Sequence, residues 1–149
     1  MYKIVAIKLL FCLIAMPGLA DILLDHGFVR ATPPGQKMTA AYMCLTNSGA
    51  EDVVIEGVSI KIAARTEIHE SYVRDGMMAM RQLPLITVPA GGRVELVPGG
   101  MHMMLFGVTN PLNEGEEVNI VLQYKNAASQ QFYLPVQRQR MTSNHNTYH

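Results

Sequence analysis

Apolar and polar residues alternate with a period of two in one short stretch after another. The stretches are Gly27 to Ala31, Thr39 to Thr46, Val53 to Ile62, Thr66 to Val73, Met77 to Leu83, Arg93 to Val97, Met101 to Phe106, Val118 to Tyr124 and Gln131 to Val136. Many are rich in Val, Ile, Thr and Tyr, which pack well on a pleated surface, so each predicts a β-strand. Between them stand turn formers: Pro33-Pro34-Gly35, Asn47-Ser48-Gly49, Asp75-Gly76, Pro89-Ala90-Gly91-Gly92, Pro98-Gly99-Gly100 and Asn110-Pro111. Each can reverse the chain. No helical period competes, and the pattern predicts an all-β domain.

Eight or nine short strands hide their apolar faces best as two packed antiparallel sheets. The expected architecture is a Greek-key β-sandwich, cupredoxin-like or immunoglobulin-like. The ends of the chain read differently. Residues 1–20 carry Lys3 and Lys8, then the apolar run Leu9 to Met16, then Pro17, Gly18, Leu19 and Ala20. That order predicts a signal peptide cleaved before Asp21, its apolar run well short of the roughly 20 residues of a membrane span. A lipid anchor would need a cysteine just after the cleavage site, whereas Cys12 lies inside the apolar run. Residues 21–137 form the predicted domain, and residues 138–149, polar and without alternation, read as a flexible tail. The chain is therefore expected in the periplasm, with no membrane span after cleavage.

Without Lys3 and Lys8, ten basic residues face twelve acidic ones, and no basic cluster occurs, which argues against nucleic acid as a partner. Cys44 is then the sole cysteine, so no internal disulfide can form. Methionine is the unusual component. Of eleven, six fall between Met77 and Met104, in a window that also holds His102 and starts eight residues after His69. Methionine commonly fills core gaps, and strand faces sort these residues further. In Met101 to Phe106, Met101, Met103 and Leu105 point one way and His102, Met104 and Phe106 the other. In Arg65 to Glu70, apolar Ile68 marks the inner side and sets His69 outward with Arg65 and Glu67. If Met103 and Leu105 face the core, Met104 stands beside His102 on the outer face, where a metal would explain it. Apolar Phe106 leaves the opposite assignment open. Neutral thioether sulfur with imidazole suits Cu(I); Ca²⁺ and Mg²⁺ want oxygen, and zinc seldom takes methionine.

His69, ten residues, Met80, twenty-one residues and then His102-x-Met104 is a spacing that resembles the periplasmic copper chaperones of the PCu(A)C family. Arg30-Ala31-Thr32-Pro33-Pro34-Gly35-Gln36, Ala41-Tyr42-Met43, Leu45-Thr46-Asn47 and Pro98-Gly99-Gly100-x-His102-x-Met104-Leu105 carry the same resemblance, which runs from about Phe28 to Val136. It implies one Cu(I) held by His69, Met80, His102 and Met104. Glu70 stands where the family motif can carry an extra methionine. The resemblance also implies a non-enzymatic chaperone that delivers copper to a cytochrome c oxidase subunit, directly or through a thiol-bearing assembly factor. A closed set of four ligands, with no position left for substrate, agrees with carriage. The chain is expected to act as a monomer.

Met77 and Met78 neighbour Met80 and could assist it, but only Met80 fits the spacing. Met101 and Met103 are expected in the core, Cys44 as a small buried thiol on one face with Tyr42 and Thr46, and His26 as structural. Met141, His145 and His149 could form a second, weaker Cu(II) site in the tail. Two alternatives compete. A blue-copper electron carrier would need Cys44 as a thiolate ligand, and a metal-free sandwich acting as a binding module would leave His69 and His102 as ordinary surface residues.

Overall fold

A computed structural model describes residues 21–138. The predicted signal peptide, its cleavage site and nearly all of the tail, with Met141, His145 and His149, lie outside the described residues. The described residues form ten strands and no helix: β1 (Ile22–Arg30), β2 (Met38–Asn47), β3 (Val53–Ile60), β4 (Arg65–Arg74), β5 (Met77–Leu83), β6 (Ile86–Val88), β7 (Arg93–Leu96), β8 (Met101–Phe106), β9 (Glu117–Tyr124) and β10 (Gln130–Gln137). No helix among them is long and apolar enough to cross a membrane.

One hydrogen-bonded path, β5-β4-β8-β2-β1-β10-β9-β3-β6, takes in nine strands, and β7 pairs with β2 off this path. β8 borders the first half of β2, from Met38 to Ala41, and β7 the second, from Met43 to Thr46. The path divides into two sheets at the parallel β1–β10 pairing, where Val29 meets Val136. The chain crosses between the sheets after β2, β3, β5, β6 and β8, so hairpin neighbours are few and the fold is the expected β-sandwich.

Alternation decides what lies between the sheets. Ala41, Met43 and Leu45 from β2, Met103 and Leu105 from β8, Ile120 and Leu122 from β9 and Leu134 and Val136 from β10 all belong to one core cluster. Fully burying the Val, Leu, Ile and Met side chains among them contributes about 1.5–3 kcal/mol each. Met103 and Leu105 thus face the core, and Met101 packs against it, as expected.

Most strand ends fall within two residues of the sequence expectation, and the start of β1 and the whole of β6 depart from it. β1 begins at Ile22 rather than Gly27, because its register against β2 shifts between Leu24 and His26. The extra residue, Asp25, breaks the period of two that marks a strand. β6 went unrecognised because three residues are too few to show a period, although its buried Ile86 and Val88 flank an exposed Thr87.

Candidate metal centre

The four residues that the sequence singles out lie on the outer face of β4, β5 and β8. In the β4–β8 ladder His69 stands directly opposite His102, Glu67 opposite Met104, and Arg65 opposite Phe106. Directly paired residues share a face, so these six side chains form one patch on the side away from the core. The ladder answers the question left open by Phe106: Met103 is 1% exposed and Leu105 is fully buried, while Met104 and Phe106 are partly exposed. On the other flank of β4, Ser71 pairs with Met80 and His69 with Gln82. Met80 is therefore on the same face, one diagonal step from His69, a relation that spans roughly 7–8 Å between backbones. The hairpin brings the four sequence-predicted residues to one side of three adjacent strands.

Their surroundings are unequal. β8 lies between β4 and β2, and His102 is only 7% exposed although it is on the outer face. β4 loses its β8 neighbour after Glu70, which pairs with Met101. Beyond that point β4 and β5 continue as a two-stranded ribbon closed by Asp75 and Gly76. Met77, Met78, Met80 and Val73 are consequently 64–71% exposed. Met78 shares the face of Met80, two residues along β5, and Met77 is on the reverse side. Glu70, also on the reverse side, is ion-paired to Arg81 at 2.6 Å and is not part of the patch.

One ring contact and two polar contacts define the histidines. The centres of the His69 and His102 rings are 6.1 Å apart and tilted by 37°. A metal–imidazole bond is about 2 Å long, so rings at this separation leave room for one ion between them. His69 Nε2 is 2.8 Å from Glu67 Oε2, and His102 Nδ1 is 3.0 Å from the carbonyl oxygen of Gly100. Glu67 Oε1 is in turn 2.7 Å from Arg65 Nε, and the Arg65 guanidinium lies over the Phe106 ring at 4.6 Å. Glu67, Arg65 and Gly100 were not singled out by the sequence reading as site residues. The signal was present for Glu67, which falls two residues before His69 and hence on its face.

Among the described residues, no three His, Cys, Asp or Glu side chains gather where they could hold a metal ion. Cys44 stands elsewhere. It pairs with His26 on one side and Glu95 on the other, with Sγ 4.0 Å from Asp25 Oδ2. The expectation of a buried thiol is corrected: Cys44 is partly exposed on the outer face, because Ala41, Met43 and Leu45 take the inner positions of β2. A cavity of about 520 Å³ beside it is lined by His26, Phe28, Tyr42, Cys44 and Glu95 among others, and by none of the four predicted ligands.

Residues 22–136 match the family described as "Putative lipoprotein LpqE-like". The chain belongs to this LpqE-like family, of the PCu(A)C copper-chaperone type. A Leifsonia xyli subsp. xyli protein whose name calls it lipoprotein Lxx21020 is 29% identical over 103 residues; the match takes in 68% of this chain and 62% of that protein's length. The lipoprotein in both names accords with an exported protein. Among solved structures, the copper-bound PCuAC domain of PmoF2 has the same fold, with a TM-score of 0.68 at 20% identity over 82% of this chain and 97% of that one. Cu(I)-bound DR1885 from Deinococcus radiodurans is 29% identical, with a TM-score of 0.61 over 84% of this chain and 82% of that one.

Proposed function

We propose that this protein is a periplasmic Cu(I) metallochaperone that carries one ion on His69, Met80, His102 and Met104 and hands it to a copper site of cytochrome c oxidase, directly or through a thiol-bearing partner. The observation that carries the reading is the cross-strand pair His69–His102, flanked on the same face by Met104 on β8 and Met80 on β5. Copper is the cargo. Imidazole and thioether are neutral donors that favour Cu(I) without adding the negative charge of thiolates. A partner that offers cysteine thiolates can therefore draw the ion downhill. The placement of Met80 supports this direction of transfer, since the most exposed of the four donors is the one a partner's ligand can displace first. The copper and Cu(I) in the names of the similar structures agree with the choice of metal.

Cu(I) stoichiometry measured under reducing conditions tests the reading. One ion per chain is expected for the wild type, with affinity lowered at least about tenfold, or about 1.4 kcal/mol, in Met80→Ala and in His102→Ala. Full-strength binding in both variants would place the copper elsewhere.

A further inference from the structure

Glu67 is the carboxylate nearest the histidine pair and is no part of the four-residue ligand set. Its Oε2 lies 2.8 Å from His69 Nε2, with the side chains of both residues largely covered, at 16% and 19% exposure. Its other oxygen is held by Arg65, whose guanidinium is itself seated on Phe106. The carboxylate is thus held from behind by a charge-assisted bond. An ionised carboxylate only accepts hydrogen bonds, so in neutral His69 the proton must be on Nε2. The same logic applies to His102, whose Nδ1 meets the Gly100 carbonyl, likewise an acceptor only. The two rings are therefore set in opposite tautomers.

The atoms left over are Nδ1 of His69 and Nε2 of His102. Neither takes a hydrogen bond from the described residues, and neither is a buried atom lacking a partner. Each offers a lone pair on the face where Met104 and Met80 stand. Building on the Cu(I) reading above, we propose that Glu67 is a positioning residue: by accepting the Nε2 proton of His69 it orients that ring and commits Nδ1, rather than Nε2, to the metal. Copper bound this way leaves the Glu67–His69 contact intact, and the carboxylate makes the imidazole a stronger donor, as acceptors behind metal-bound histidines generally do. An Nε2-bound ion would instead have to break the Glu67 contact and leave the carboxylate facing only Arg65.

Imidazole ¹⁵N–¹H correlation spectra at about pH 8, where unperturbed histidines are neutral, test the proposal on the wild type, Glu67→Ala and Glu67→Gln, each with and without Cu(I). In the metal-free wild type the expected result is His69 protonated on Nε2, and on adding Cu(I) a large shift of His69 Nδ1 and His102 Nε2. Glu67→Ala should give a mixture of His69 tautomers and a loss of Cu(I) affinity of about 10–100-fold. Glu67→Gln, whose amide oxygen still accepts, should restore the tautomer and most of the affinity. A copper-induced shift at His69 Nε2, or a Glu67→Ala protein with wild-type tautomer and affinity, would overturn the proposal. A wild-type His69 that is Nε2-protonated but does not respond to Cu(I) would instead overturn the metal reading on which it rests.

Discussion

Two methionines show how the same residue type is put to different uses by its position in the fold. Met103 is 1% exposed and packs in the core, and Met80 is 64% exposed on the hairpin ribbon. Replacing Met80 by Leu keeps the apolar bulk and removes the sulfur. Its free energy of unfolding should stay within about 0.5 kcal/mol of wild type, while Cu(I) affinity falls at least about tenfold. Met103→Ala should do the reverse, costing about 2–5 kcal/mol of stability through the cavity it opens and leaving the four donors in place. Denaturant melts and Cu(I) competition titrations on the two proteins check this, and a Met80→Leu protein that binds normally would count against a thioether ligand there. The outward face of His69 and the burial of Met103 could both be read from strand alternation. That His102 is nearly covered could not, because its cover comes from being placed between β4 and β2, a consequence of strand order.

The β4–β5 hairpin decides whether Met80 can serve the site. Arg74 pairs with Met77 across a two-residue turn, in which Asp75 and Gly76 take φ of 52° and 78°. Successive left-handed residues make the tight turn whose twist matches antiparallel strands, and Asp-Gly is among its preferred sequences. The turn sets the register, and a slip of one residue would send Met80 to the face occupied by Glu70 and Arg81. Gly76→Val places a β-branched side chain where φ is strongly positive, at a cost of about 1–3 kcal/mol. Faster amide exchange confined to Met77–Leu83 is expected, with weaker Cu(I) binding and an intact core; unchanged exchange in that strand would show that the turn does not hold the register. The hairpin was legible from Asp75-Gly76 and the alternation beside it. β6 was not, and the start of β1 was missed because the bulge at Asp25 interrupts the period.

At the scale of the whole molecule, the two sheets are tied at β1, β10 and β9 by a short relay: the Tyr124 hydroxyl donates to Gln130 Oε1 at 3.0 Å, and Gln130 Nε2 donates to the Ile22 carbonyl at 3.0 Å. Burial pushes the Tyr124 phenol up to about 12. Below about pH 10, the ordinary tyrosine value, the phenol is neutral in both folded and unfolded chains and its stabilisation is complete. As pH rises from there toward 12, the unfolded chain gives up the proton and the folded one keeps it, so stability falls. The loss should be of order 1 kcal/mol once solvent screening is allowed for. Tyr124→Phe should flatten this part of the stability–pH curve, and an alkaline limb unchanged by the substitution would remove Tyr124 as its source.

The chain by itself determined the strand class, the candidate donors and their spacing, because alternation is a local property and soft-ligand chemistry belongs to side chains wherever they lie. Tertiary structure decided which strands became neighbours. β4 and β8 are separated in sequence by three strands, and only their pairing sets His69 opposite His102 and Glu67 opposite Met104. Local periodicity assigns a residue to a face but carries no information about which distant strand lies beside it. That choice is made by the shared burial of both sheets, and with it the meeting of two imidazoles that neither segment contains alone.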